Sequence, residues 1–470
     1  MGCSCKHWLI AGAVLGALLA VLGGILIPVG DSVIRDTVRK ETVIEPGTTA
    51  YEIWSSAGVP VYRQFWLFDV QNPLEVVENG STPVVVERGP YTYKTRYLPK
   101  ENITVHRNGT VAFLLPAGAV FVPSMSIGQE EDRITALNLG IPAAHALFPE
   151  KNHKLLNILI SINNASLFQS RTVKEMLWGY YDPVTMRTVG VFYPYNGTFD
   201  GYYNVHTGKE DISKVGVIDR WKGERELPYW KDNYCDMING TDASSFAPFL
   251  DKKKELFFFT SDICRSVSAE FTDTVDLKGI EMYRYMLPPL TLAAPTVNPA
   301  NKCYCHNENT TRNCSVAGVL DTSSCREGVP IYISLPHFLY GSEILRENVL
   351  GLDPSETYHN TFLDVEPTTG FTMRFAKRIQ INMMYTSSNV IKVLNKVKEH
   401  TIFPLVWLNE TAELDDETAD MFKAEMLSPI TMLETVQVTL LSLGSVVFVV
   451  CSIAAYIVHR KSKKGQDLSS

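Results

Sequence analysis

The sequence predicts an α+β fold: a large, chiefly antiparallel β domain with one helical region, held between two membrane-spanning helices. Three observations predict it. Uncharged apolar runs, Trp8 to Val29 and Val436 to Val458, stand at the two ends. Short alternating segments punctuated by Pro and Gly fill most of the region between them. Only one stretch, from about Ala143 to Trp178, reads as helical instead.

Each terminal run exceeds the ~20 residues that a helix needs to cross a hydrocarbon core. The first is read as an uncleaved anchor, because it outruns the ~7–15-residue core of a signal peptide and no small-x-small site closes it before Pro28. A cleaved signal peptide is the alternative. Arg460, Lys461, Lys463 and Lys464 against Asp467 assign the C-terminal tail to the cytoplasm. Lys6 competes with Arg35, Arg39 and Lys40 across the first run and decides less. The sequons decide more: Asn79, Asn102, Asn108, Asn164, Asn196, Asn239, Asn309, Asn313 and Asn409 all lie between the runs. The chain therefore divides into a cytoplasmic tail (1–7), a first span (8–29), an extracellular or lumenal domain (30–435), a second span (436–458) and a cytoplasmic tail (459–470).

Within the domain, Tyr91, Tyr93, Thr95 and Tyr97 fall on one strand face and Thr92, Lys94 and Arg96 on the other, a half-buried antiparallel pattern. Val61 to Val70, Val84 to Arg88, Tyr283 to Leu287, Ile331 to Leu335, Phe362 to Glu366 and Phe371 to Asn382 read similarly. In the helical stretch, Leu155 to Ile162 is apolar nearly all round, and Thr172 with Glu175 forms a capping box ahead of Met176, Leu177 and Trp178, with Gly179 as the stop. His145, Lys151, His153, Lys154, Arg171 and Lys174 make this stretch the best local basic patch; an ordinary solvated helix surface is the plainer reading. In the first span Gly12, Gly16, Ala20 and Gly24 recur every four residues, a stripe suited to close approach of the second span or of another copy.

Six cysteines (235, 264, 303, 305, 314 and 325) lie in the domain, an even number in an oxidising compartment, with fifteen connectivities open. A zinc site is the rival, but Cys303-Tyr-Cys305 is too tight for a knuckle and His306 is the only nearby imidazole, so no metal is expected. Cys3 and Cys5 follow Gly2 near the membrane face and suit palmitoylation or remain free thiols. Of 43 basic and 51 acidic residues, 38 and 50 remain once the tails are set aside, so the domain is acidic. That excludes nucleic acid as a partner, and an anionic ligand needs a local basic patch. No metalloprotease, serine-hydrolase, phosphate-loop or dinucleotide motif occurs, and single residues such as His337 and Glu327 do not make a catalytic site. A receptor without cofactor is expected, and not an enzyme.

The blocks VYRQFWLFDVQNP (61–73), RGPYTYK (88–94), LWGYYDP (177–183), FYPYNGT (192–198), INGTDASSFAPF (238–249), SDICRS (261–266), PIYISLPHFLYG (330–341) and LDVEPTTGFTMRFAKRIQIN (363–382) run in order through nearly the whole domain. They resemble the class B scavenger receptors. LIAGAVLGALLAVLGGILIPVGD (9–31) and the N-terminal cysteines are similar to the fatty-acid-translocating branch, and RKSKKGQDLSS lacks the acidic dileucine signal of the lysosomal branch.

The resemblance implies a β-barrel-like core crowned by an apical helical bundle, with a lipid tunnel running toward the membrane. It implies the pairs Cys235–Cys303, Cys264–Cys325 and Cys305–Cys314. It implies ligand capture at the apex, by Lys151, His153, Lys154, Arg171 and Lys174, and a tunnel mouth at Glu327. The family's apical reactive lysine is missing here, since no lysine lies between Lys154 and Lys174. The implied partners are long-chain fatty acids, oxidised and native lipoproteins, membrane lipids, thrombospondin at Tyr93 to Val120, and Src-family kinases on the C-terminal tail. Clusters or homo-oligomers, cell adhesion, and residence in the plasma membrane, including lipid rafts and the Golgi in transit, belong to the same picture. Two alternatives stand beside fatty-acid uptake: an adhesion and signalling receptor without transport, and a lysosomal membrane receptor.

Overall fold

The computed structural model describes residues 2–56, 59–306, 308–312 and 314–467. The sequon residue Asn313 and the side chains of Cys3 and Cys5 lie outside the described residues. The chain forms two compact units, Thr42–Leu414 and a unit joining Met1–Glu41 with Asp415–Ser470. The first lies inside the expected 30–435.

The terminal unit is built on the helices Gly2–Thr42 and Ser428–Asp467, both longer than the apolar runs within them and both long and apolar enough to cross a membrane. They pack antiparallel, as a chain that crosses and returns requires. A Cβ on Gly12 would lie 2.8 Å from Cys451 Sγ, one on Gly16 2.5 Å from the Phe448 amide, and one on Gly23 2.5 Å from the Leu441 amide. The stripe thus serves pairing within the chain. It follows Gly12, Gly16, Gly23 and Gly30, whereas a Cβ on Gly24 would meet nothing within 4 Å among the described residues; a contact line on a straight helix drifts off a strict four-residue repeat. At Gly30 the missing side chain admits Gln437, whose Nε2 donates to the Leu26 carbonyl at 2.9 Å and which is almost fully buried. Satisfying that amide matters because an unpaired polar group in hydrocarbon is costly.

This pairing makes a direct prediction. A Cβ on residue 12 would stand 3.7 Å from the Cβ of Cys451, within the ~3.5–4.5 Å of a disulfide. In a chain with Cys3 and Cys5 replaced by Ser, Gly12→Cys is expected to oxidise to Cys451, and Gly24→Cys is not. Non-reducing peptide mass spectrometry reads the linked peptides.

The larger unit centres on an eleven-stranded antiparallel sheet. Its strands run in the order Leu256–Thr260, Arg265–Leu277, Ile280–Met286, Phe362–Val365, Thr372–Tyr385, Thr401–Glu413, Val61–Val70, Val85–Thr95 and Ala119–Phe121. Ile331–Ser334, itself paired with Leu320–Asp321, adds to Thr372–Tyr385. A second sheet orders Ile218–Trp221, Thr198–His206, Thr110–Ala117 and Glu101–Val105. Among the described residues the strand order ends at Leu256–Thr260 and Ala119–Phe121 without closing on itself, and the large antiparallel sheet expected of the α+β fold is present.

Thr401–Glu413, which sequence alternation does not reveal, is the central strand. It pairs with Val61–Val70 on one side and Thr372–Tyr385 on the other. Its first eight residues are all buried, so it reads as an unbroken apolar run and not as alternation. Pro404 cannot donate to a ladder, and the register shifts between Ile381 and Asn382, next to it. The expected strands 84–88 and 91–97 are one strand, Val85–Thr95. Thr92 departs from the half-buried reading and is fully buried, its hydroxyl donating to the Met125 carbonyl at 2.6 Å.

The helical stretch resolves into Gly140–Leu147, His153–Ile162 and Val173–Trp178. Phe168–Thr172 is a strand instead, because it finds a partner outside the stretch in Arg133–Leu137. The capping box is present in both directions, between Thr172 and Glu175.

Candidate functional site

A cavity of about 680 Å³ opens within the larger unit. Period-2 alternation builds its apolar wall: Ile379, Ile381 and Met383 share one face of Thr372–Tyr385, with Leu405 from the central strand. Leu115, Ala117, Leu139, Ala143 and Phe192 add apolar surface, and the disulfide partners Cys264 and Cys325 lie in the lining. Arg63, Arg96, Asp200 and Asp262 line it as well.

These charges form one cluster around the buried pair Arg63 and Glu410, and sheet register makes it. Glu410 stands opposite Arg63 on one neighbouring strand and opposite Lys377 on the other. Arg63 Nε donates to Glu410 Oε2, Lys377 Nζ pairs with Asp262, and Arg96 Nη2 lies 3.1 Å from Glu410 Oε1. Asp262 comes from the turn after Leu256–Thr260, and Asp200 from Thr198–His206. Asp200 accepts from Ser261 at 2.6 Å and from Tyr203 at 2.7 Å.

Burial alone would raise the Glu410 and Asp262 carboxyls. The surrounding cations overcome it and hold both well below the usual carboxylate range: Arg63, Arg96 and Lys377 act on Glu410, and Lys377 and Arg63 on Asp262. Asp200 moves the other way, raised by burial and then by the neighbouring Asp262. Sequence reading missed the cluster, although one signal was present. Arg63 falls on the inward face of VYRQFWL, between Val61 and Phe65, where a charge requires a buried partner.

The expected apical patch is thinner than composition suggests. Lys151 and Lys154 are exposed, with no ion-pair partner among the described residues. His153 is instead buried, its Nε2 3.1 Å from the Phe148 carbonyl. Arg171 packs over the Tyr180 ring and lies 3.7 Å from Glu175, and Lys174 pairs with Glu130. The His145 ring lies 4.8 Å from that of His153, tilted by 46°, and burial lowers its pKa. Beside the two lysines, Leu155, Ile158 and Ile162 form an exposed apolar face on His153–Ile162, while Leu156 and Ile160 turn inward.

Glu327 is exposed and lies in the cavity lining next to Arg326. The stretch 93–120 runs from Val85–Thr95 through Glu101–Val105 and Thr110–Ala117 to Ala119–Phe121. Disulfides join Cys235 to Cys303, Cys264 to Cys325 and Cys305 to Cys314. His337 is buried with both ring nitrogens engaged: Nε2 stands 2.6 Å from Glu87, and Nδ1 accepts from the Asp353 amide at 2.9 Å. It stacks on His359, whose pKa burial lowers to about 4.

Among the sequons, Asn79, Asn102, Asn108, Asn164, Asn196 and Asn309 are exposed and Asn239 is half-buried. Asn409 differs. It lies within the central strand, its Nδ2 donating to Gln64 Oε1 at 3.1 Å and its Oδ1 buried without a partner among the described residues. A glycan on Nδ2 would have to displace that contact. Glycopeptide mapping is expected to find Asn79, Asn102 and Asn164 occupied and Asn409 bare.

The CD36 family model matches residues 14–455. Scavenger receptor class B member 1 of Cricetulus griseus is 33% identical, over 96% of this chain and 90% of its own length. The protein of that name from Sus scrofa is 31% identical over 96% and 91%. Lysosome membrane protein 2 of Homo sapiens is 34% identical over 87% of each chain.

Proposed function

The chain belongs to the CD36 family, and from that membership we propose that it is a cell-surface receptor that takes long-chain fatty acids and lipoprotein lipids and passes them through its cavity toward the bilayer. The observation that carries this reading is the cavity, whose size falls in the ~300–1,000 Å³ range of small-molecule sites and whose long wall is apolar. Moving a sixteen-carbon chain from water into such a lining is worth about 12 kcal/mol before ordering costs, at ~0.8 kcal/mol per methylene. No bond changes, so no catalysis is needed. The bilayer offers the tail a similar environment, and the cavity's contribution is a path that avoids water.

Lys151, Lys154 and the apolar face of Leu155, Ile158 and Ile162 suit docking of an anionic lipid particle. Glu327, exposed in the cavity lining, suits a mouth of the path. Thrombospondin binding at 93–120, kinase recruitment by the C-terminal tail, palmitoylation at Cys3 and Cys5, and clustering at the plasma membrane complete the proposal. Two helices at the chain ends fit a two-span membrane protein with both tails cytoplasmic.

Extraction and mass spectrometry of lipid from the purified full-length chain tests it, with copurifying fatty acid expected. A lipid-free preparation that also refuses added fatty acid would overturn it. The exposed apolar face also favours a second reading, adhesion and signalling without transport. Deleting 460–470 separates the two, since uptake should survive that truncation and signalling should not. Surface biotinylation of intact cells tests the lysosomal alternative, because a lysosomal resident stays protected from the reagent.

A further inference from the structure

A cavity built to hold only hydrocarbon would not keep arginines in its lining, since a charge withdrawn from water is costly unless compensated. Here the charges are compensated, yet donors remain. Arg63, Arg96 and Lys377 face the carboxylates of Glu410 and Asp262, and both arginines, with Asp200 and Asp262, line the cavity beside an apolar wall. The donors are also unevenly used. Arg63 gives Nε to Glu410, while its Nη2 stays 3.9 Å from Asp262, beyond hydrogen-bond length. Arg96 meets Glu410 through Nη2 and remains 35% exposed.

We infer that the cluster is a head-group station, at which Arg63 and Arg96 receive the single negative charge of an amphiphile whose tail lies along Ile379, Ile381 and Leu405. The inference rests on the reading of the cavity as a lipid site and adds the class of lipid that it selects. Guanidinium forks suit a planar or tetrahedral oxyanion, which can take the donors that Glu410 and Asp262 leave unused. An uncharged amphiphile of equal length offers those donors no charge-assisted contact and must bury a hydroxyl beside them. The station lies inside the cavity, so it acts after docking and sorts lipids by charge.

The test uses the full-length chain in nanodiscs and two photoactivatable sixteen-carbon probes, alike except for a sulfate or an alcohol head. Sulfate stays ionised at every pH used, which removes titration of the probe from the comparison. Labelling of cavity peptides around Ile381 and Leu405 by the sulfate is expected to exceed that by the alcohol about tenfold, as for a charge-assisted contact of about 1.4 kcal/mol. Arg96→Gln should remove most of this preference, read as the ratio of sulfate to alcohol labelling, and Arg96→Lys should restore part of it. Equal labelling by both probes in the unmodified chain would overturn the head-group station and leave the lipid cavity standing. Absence of cavity labelling by either probe would overturn the lipid cavity itself. If Arg96→Gln loses labelling by both probes, the head-group comparison in the unmodified chain decides.

Discussion

Ala117→Phe is expected to lower lipid uptake about tenfold or more, since forcing extra bulk into a filled site costs about 1–3 kcal/mol, while ligand docking at the helix His153–Ile162 persists. Ala117 lines the cavity from the end of Thr110–Ala117 and carries a small side chain there. Ala143 lines it from a different element, the helix Gly140–Leu147, and Ala143→Phe provides an independent block. Uptake of a fluorescent fatty acid, normalised to surface protein, is the measurement. Unchanged uptake in both variants, with copurifying lipid lost, would remove the cavity from the route.

Glu410→Gln is expected to destabilise the larger unit by about 3–5 kcal/mol, the cost of leaving buried charges without their partner. Glu410 is almost fully buried, and its loss would set Arg63, Arg96 and Lys377 against Asp262 alone. Thermal unfolding of the detergent-solubilised chain should fall by several degrees, with a matching loss from the cell surface. Arg63→Met combined with Glu410→Leu should recover part of that loss, because a well-packed apolar pair can replace a buried ion pair. A Glu410→Gln chain as stable as the parent would remove the cluster's structural role.

The same cluster fixes the sign of an acid response. Glu410 and Asp262 are held below the usual carboxylate range in the folded chain. Their contribution to stability is therefore complete above the ordinary carboxyl pKa of about 4 and is lost as pH falls below it toward their folded values. Glu410→Gln should lose less stability than the parent on acidification below about pH 4.

What could be read from the sequence was what repeats locally. Val61–Val70 and the capping box at Thr172 depend on neighbouring residues, and both stand where alternation and spacing put them. Thr401–Glu413 escaped because a strand buried on both faces loses its period of two. The helical stretch hid the strand Phe168–Thr172, whose pairing with Arg133–Leu137 no local pattern announces. The candidate site divided in the same way. Composition pointed to Lys151 and Lys154, which are exposed, but also to His153, Arg171 and Lys174, which tertiary partners occupy. The ionic cluster gathers residues spread from Arg63 to Glu410, and only strand register brings them together.

The antiparallel pairing of the terminal helices has a thermodynamic side. With the chain ends clasped to each other, the segment from Thr42 to Leu414 is a ring. While the clasp holds, the unfolded segment cannot separate its ends, and closing a loop of that length removes about 6 kcal/mol of chain entropy from the denatured ensemble. A secreted version without the helices would be a linear polymer of the same sequence, with every native contact retained and a larger space of disorder to fall into.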